Sequence, residues 1–320
     1  MVARGGIDLG GTKIQAVVVD GRFKVVGQAR IPTPTQGKPR DVRDAIATAL
    51  GEAVGAAGLT VGDLVGLGVG SPGEIDAAAG TVSQARNLPG WAGTYPLGPE
   101  LAKLTDSPVR LGNDVQVATD AEFQLGSAKR YDSLLGVFWG TGVGGGIVLD
   151  GKPWVGRGAG GEIGHVVVHD GGRKCPCGRR GCVEAYAGRA AMEARARHLH
   201  EQGRKTKLFK IMKKRERTRL TSGIWARAAK AEDKLTLELL EEAVQAIGTG
   251  VASACNVLDP EAVVIGGGLG VRFGEPYRER IEQAMLPHLF TSAHPPKVHV
   301  ASLGDLGGAV GAALLVRDVT

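Results

Sequence analysis

The stretch Gly6-Ile7-Asp8-Leu9-Gly10-Gly11-Thr12-Lys13-Ile14-Gln15-Ala16-Val17-Val18-Val19 decides how the chain is read. Apolar residues on both sides of a Gly-Gly turn predict a β-hairpin, with Asp20-Gly21 as the next turn and residues 24–30 as a third strand. Two glycines keep Cβ atoms away from the turn, so a phosphate can reach the backbone of Gly10, Gly11, Thr12 and Lys13. Thr12 adds a hydroxyl donor, and Asp8 can hold Mg²⁺ through water. A strand follows this turn, not a helix, which excludes both the P-loop and the dinucleotide fingerprint. Taken alone, a Gly-Gly hairpin is more often only a turn.

Outward from the hairpin, residues 42–57 are Ala-rich and predict a helix with Asp41 as its N-cap. Residues 65–69 predict a buried strand, and residues 109–111 a second one that delivers Asn113-Asp114 to the head of a helix over 115–125. Strands at 134–139 and 146–149 flank a glycine turn. Residues 235–258 carry Leu240, Val244, Ile247, Val251, Ala254 and Leu258 at helical spacing. A strand at 262–265 runs into Gly266-Gly267-Gly268, and a helix closes the chain at 305–316. This alternation of strands and helices predicts an α/β fold. The strand-turn-strand unit at 7–19 returns at 134–149, either as two related lobes or as two unrelated turns.

Composition narrows the class. The chain has 320 residues, 43% hydrophobic and 22% charged, which suits about two globular domains. Its 51 glycines lack a Gly-X-Y period, which excludes collagen. The longest uncharged stretch, residues 134–149, is glycine-rich and short of the roughly 20 apolar residues of a membrane span. With no leader-like segment ahead of Asp8, the expected compartment is the cytoplasm. Net charge is +6, but residues 195–230 hold thirteen Lys/Arg against two acids, a local +11 that leaves the remainder near −5. That segment reads as a solvated, partly mobile surface excursion, or as a polyanion contact.

The other candidate sites are local too. Gly140-Thr141-Gly142-Val143-Gly144-Gly145-Gly146 has more glycine than a hairpin turn needs, and either phosphate contact or a structural turn accounts for it. Gly266-Gly267-Gly268-Leu269-Gly270 ends a strand and can lie against a nucleobase or ribose. Asp114 reads either as a helix cap or as a general base for a substrate hydroxyl. Gly161-Glu162-Ile163-Gly164-His165 precedes Cys175-Pro176-Cys177-Gly178 and Gly181-Cys182-Val183-Glu184. His165, Cys175, Cys177 and Cys182 form a Cys₃His set suited to tetrahedral zinc. Cys255 sits in the long helix as a core residue.

Together, an Asp-bearing glycine loop, a Thr-bearing glycine loop and a late glycine cluster resemble the sugar kinase/actin/Hsp70 ATPase superfamily. GE-x-GH at 161–165 followed by CxCGxxGCxE at 175–184 is similar to the signature of the ROK family of sugar kinases and repressors. DLGGTK at 8–13, Asn87-Leu88-Pro89-Gly90-Trp91, Leu111-Gly112-Asn113-Asp114 and IGGGL at 265–269 extend the match over almost the whole chain. The resemblance implies an α/β protein with two lobes of the actin-like ATPase (ribonuclease H-like) fold facing a central cleft. Residues 1–118 and 303–320 would form a small lobe, and 119–302 a large one. It implies Mg²⁺-dependent transfer from ATP to the 6-hydroxyl of a hexose, glucose foremost, with Asp114 as general base. Asn87, Asn113, Glu162, His165 and Glu184 would bond the other hydroxyls. His165 would serve both the sugar and a structural zinc. Asp8, Gly10, Gly11, Thr12, Lys13, Thr141, Gly142, Gly267 and Gly268 would meet the nucleotide, and the protein would be a homodimer.

The same residues also suit three alternatives: inorganic polyphosphate as donor, an N-acylhexosamine as acceptor, or a non-catalytic sugar-responsive regulator. The repressors of the family carry a helix-turn-helix ahead of the first glycine loop, and here that loop starts at Asp8. No specific nucleic acid and no membrane are therefore expected as partners.

Overall fold

In the computed structural model, residues 2–85, 87–291 and 293–319 are described. Strand β1 (Ala3–Leu9) pairs antiparallel with β2 (Lys13–Val19), Leu9 opposite Ile14, and β2 pairs with β3 (Val25–Pro32). β1 is buried along most of its length, so both faces of its sheet need a cover. Helix α1 (Pro39–Ala56) covers one face with Val42, Ile46, Ala49, Leu50, Ala53 and Val54. It begins at Pro39, ahead of the expected start, because proline suits the first helical turn. Asp41 is therefore not the N-cap; it lies inside the first turn and accepts the Lys38 N–H at 2.7 Å.

Strand β4 (Leu64–Ser71) runs parallel to β1. A ribbon of β5 (Glu74–Asp76) and β6 (Thr81–Ser83) and helix α2 (Leu97–Thr105) lead to β7 (Val109–Asn113), parallel to β4. Helix α3 (Asp114–Gln124) follows directly. This sheet has the order β3-β2-β1-β4-β7.

The second sheet repeats the plan. Strands β8 (Leu134–Trp139) and β9 (Val143–Leu149) are antiparallel, and β10 (Lys152–Pro153) forms the edge. After helices α4 (Val183–Ala187), α5 (Arg189–Glu201), α6 (Leu208–Lys214), α7 (Ser222–Lys230) and α8 (Lys234–Leu258), strand β11 (Ala262–Gly266) returns parallel to β8. Helix α9 (Gly267–Met285), broken at Gly274, leads to β12 (Lys297–Val300), parallel to β11. The order is β10-β9-β8-β11-β12. Helix α10 (Gly307–Leu314) then covers the other face of the first sheet. Glycines at Gly6 and Gly68 permit this, since a Cβ there would fall 2.0 Å from the Ala309 carbonyl oxygen or 1.7 Å from that of Ala312.

The chain divides into two compact units. The first comprises Met1–Lys129, Pro153–Gly160 and Ser302–Thr320, and so keeps all of α3. The second comprises Arg130–Lys152 and Gly161–Ala301. The basic stretch 195–230 is not the surface excursion expected of it. It folds as the end of α5 with α6 and α7, and it buries Ala196, Leu199, Leu208, Leu220, Ile224, Trp225 and Ala228 in the second unit's core. Each large side chain among these is worth about 1.5–3 kcal/mol when buried, while the long cationic side chains reach outward. Among the described residues, no helix is long and apolar enough to cross a membrane.

Candidate active site

In the first unit, three parallel strands set the site. Asp8 at the end of β1 pairs with Gly70 of β4, and Ser71 at the end of β4 pairs with Asn113 of β7. Asp8, Asn113 and Asp114 therefore share the C-terminal edge of the parallel strands, where α/β sheets commonly bind ligands. Asn113 caps α3, its Oδ1 accepting the N–H groups of Val115 and Gln116 at 3.0 and 3.1 Å. The cap reading thus belongs to Asn113, whose amide nitrogen is left as the donor. Asp114 is the first residue of α3, half-buried, with Oδ1 accepting the Val115 N–H at 2.9 Å.

The first glycine turn is closed by the Gly10 N–H donating to the Lys13 carbonyl at 3.0 Å, and Thr33 Oγ1 donates to the Gly10 carbonyl at 2.6 Å. Thr12 at its tip is exposed. Gly11 lies against Asn87, so that a Cβ at Gly11 would sit 3.2 Å from the Asn87 amide nitrogen. This brings a phosphate-loop candidate and a sugar-ligand candidate side by side. Burial pushes the Asp8 carboxyl above its ordinary range, Lys13 pulls it back, and Asp305 adds to the push. A cation beside it would reverse that balance.

In the second unit, the turn is shorter than the sequence suggested. β9 begins at Val143, so Gly144, Gly145 and Gly146 are strand residues and only Gly140-Thr141-Gly142 is turn. The extra glycines have a packing role: a Cβ at Gly145 would fall 2.5 Å from the Gly161 carbonyl oxygen, on the segment that carries Glu162. Glu184 Oε2 accepts the Val143 N–H at 2.9 Å, which ties that carboxylate to the turn and leaves its other oxygen for a ligand. At the same sheet edge, Gly267 packs against the Trp139 carbonyl, and a Cβ at Gly268 would meet only open space. The third glycine cluster is thus the first turn of a helix, not only a strand end.

The segment after β9 folds into a knuckle. The Cys175 N–H donates to the Arg179 carbonyl at 2.8 Å, and the Gly178 N–H to the Cys175 carbonyl at 3.0 Å. One ligand atom each from His165, Cys175, Cys177 and Cys182 lies within 4.8 Å of all the others. The Cys177 and Cys182 sulfurs are 3.8 Å apart, and Cys175 Sγ is 3.7 Å from His165 Nδ1. Metal–sulfur bonds of ~2.3 Å give tetrahedral sulfur–sulfur edges of about 3.8 Å, so the donor set fits such an ion. Burial raises the Cys175 thiol to about 12. At Cys177 burial acts the same way, but the Arg179 backbone and side chain prevail and lower the thiol to about 6. His165 divides its ring between two tasks: Nδ1 faces the sulfurs, and Nε2 lies 3.8 Å from Glu162 Oε2.

One residue at this site escaped the sequence. Arg189, the first residue of α5, donates from Nη2 to Thr141 Oγ1 at 2.8 Å and from Nη1 to the Leu220 carbonyl at 3.0 Å. A single arginine after a glycine carries no motif that could have marked it.

The sequence matches the ROK family over residues 4–319. A glucokinase of Halalkalibacterium halodurans is 32% identical over 318 residues, covering 98% of this chain and 94% of the relative. An N-acetylmannosamine kinase of Haemophilus influenzae is 32% identical over 98% of this chain and 95% of its own length. A ROK family glucokinase from Streptomyces griseus, solved in complex with glucose and AMPPNP, superposes with a TM-score of 0.83 at 30% identity, with 99% of both chains covered. The chain belongs to the ROK family, and its fold is the actin-like ATPase fold of that family's sugar kinases.

Proposed function

We propose that this sugar kinase transfers the terminal phosphoryl group of ATP to the 6-hydroxyl of a hexose, glucose foremost, with Asp114 as general base. The observation that supports it best is the division of labour at the start of α3. Asn113 supplies the cap, and the Asp114 carboxylate beside it stands at the same sheet edge as Asp8. Asp114 takes the proton of the 6-hydroxyl as that oxygen attacks the γ-phosphorus; the new O–P bond forms as the bond to the ADP oxygen breaks. Asn87, the Asn113 amide, Glu162, His165 Nε2 and Glu184 bond the remaining hydroxyls and fix which oxygen attacks. Gly10, Gly11, Thr12, Lys13, Thr141 and Gly142 hold phosphate oxygens, and Gly267 and Gly268 face the nucleoside. Asp8 would hold Mg²⁺, which neutralises phosphate charge when bound.

His165, Cys175, Cys177 and Cys182 would hold zinc, whose part is to keep the loop in shape, since four protein ligands leave no open position. Ligation at Nδ1 fixes Nε2 as the nitrogen presented to sugar. The Haemophilus influenzae relative favours an N-acylhexosamine as the second acceptor to test. ADP production from Mg·ATP across hexoses and N-acylhexosamines, with polyphosphate as a second donor, tests the reading. Turnover with glucose in the ~1–100 s⁻¹ range of kinases is the expected result. No turnover with any sugar, in protein shown to contain zinc, would overturn it in favour of a regulator.

A further inference from the structure

Arg189 stands out because it is half-buried and no carboxylate pairs with it directly. Among the described residues it has no ion pair; the nearby Glu193 is engaged by Arg197 and by the Leu220 N–H. Burial lowers its guanidinium below the ordinary arginine range; the charge of Glu193 pulls the other way, and the like charge of Arg219 adds to the lowering. Its hydrogen bonds reach the second glycine turn and Leu220, which lies between α6 and α7. The Arg189 N–H donates to the Gly140 carbonyl at 3.1 Å and the Ala190 N–H to the Thr141 carbonyl at 3.0 Å, while the guanidinium spans Thr141 Oγ1 and the Leu220 carbonyl. Thr141 itself is exposed.

A hydroxyl that accepts from a cation has its own proton free and polarised for donation elsewhere. We propose that Arg189 is a positioning residue for the nucleotide's phosphate chain. It turns the Thr141 hydroxyl into a committed donor toward a phosphate oxygen, and its own positive charge completes the anion subsite. This rests on the ATP-dependent reading above. It also gives the basic segment a structural link to the site, since Leu220 follows directly on the exposed Arg217 and Arg219.

The test is Arg189→Met, Arg189→Lys, Thr141→Val and the Arg189→Met/Thr141→Val pair, each assayed for KM of Mg·ATP, KM of sugar, kcat and affinity for ATP and adenosine. A lost charge-assisted hydrogen bond predicts a rise of roughly 10- to 100-fold in the KM of Mg·ATP for Arg189→Met. The sugar KM and the adenosine affinity stay within about 2-fold, and Lys restores part of the loss. In the Thr141→Val background the Arg189→Met effect shrinks, because the two residues act as one unit. An unchanged Mg·ATP KM in folded Arg189→Met, an equal loss for adenosine, or full additivity in the pair would overturn the proposal. Should Arg189→Met fail to fold, the ATP-against-adenosine comparison in Arg189→Lys and Thr141→Val decides in the same way. A parent protein that neither binds nor consumes ATP is a different result, and sinks the parent reading instead.

Discussion

The two units build the same hairpin and support it differently. In the first, the turn after Leu9 is held by its own backbone and by Thr33, the residue that follows strand β3. In the second, the turn after Trp139 is likewise closed by its backbone, the Gly140 N–H donating to the Gly142 carbonyl at 2.9 Å, but it is also held by Glu184 and Arg189, side chains that lie beyond the Cys/His knuckle in sequence. The same strand order thus yields one turn that is self-contained and another that is wired to a distant loop. Damage to the knuckle should travel to the second turn and leave the first untouched. The first unit also carries the proposed base, while the second carries the carboxylates and imidazole proposed to hold the sugar.

That division is broken most directly at Asp114. Asp114→Asn keeps the size and a hydrogen-bonding oxygen at the start of α3 but cannot take a proton. The expected outcome is a fall in kcat of at least ~10²-fold with sugar affinity nearly unchanged, read by steady-state kinetics beside calorimetry. An unchanged kcat would remove Asp114 from the chemistry, and a parallel loss of affinity would make it a sugar ligand first.

Cys177→Ser is the complementary cut in the second unit. It should release zinc and weaken sugar binding together by roughly 10- to 100-fold, because His165 loses the bond that orients its Nε2. Metal content by elemental analysis and sugar affinity by calorimetry check it. Tight glucose binding by zinc-free protein would show that the loop keeps its shape alone, and that the wiring described above carries no function.

What could be read from the sequence follows the same line between local and distant support. The Asp8 turn, the Cys₃His spacing and the long helix α8 are encoded within short windows by glycine, cysteine and apolar periodicity, and all were legible. The glycine run 140–146 was not, because a run of glycines looks the same in a turn or in a strand. Its true reason, the Gly161 carbonyl against Gly145, lies 16 positions away. Helices α6 and α7 were hidden by their charge: Lys and Arg fill the exposed positions and mask the apolar side of Leu208, Ile224, Trp225 and Ala228. At Asn113-Asp114 both residue types cap helices well, so only the backbone showed which of them does.

The smallest expected effect concerns a buried carboxyl of the first unit and its opposite in the second. Asp8 and Asp120 of the first unit are displaced upward by burial, while Asp20, Asp63 and Glu100 of the same unit and Asp233 and Glu241 of the second are displaced downward. Asp120 is buried on α3; burial raises it to about 7, while its bond from Gln116 Nε2 at 2.9 Å and the charge of Arg317 pull the other way. The unfolded chain releases this proton near ~3.9, so between the two values the folded state binds it and the unfolded state does not. The stability linked to Asp120 is therefore fully present below the unfolded value and lost as pH rises through about 7. Asp233 has the opposite sign. Despite burial, hydrogen bonds from Thr236, Lys207 and Thr206 hold it down, so its contribution is present at neutral pH and lost in acid. Asp120→Asn keeps the acceptor for Gln116 and removes the titration. Its Tm relative to the parent should rise by several degrees between pH 5.5 and 8.5, on the order of a few kcal/mol spread over a chain of this size. A gap that stays constant across that range would mean that Asp120 contributes no pH dependence there, and that its burial does not raise it to about 7.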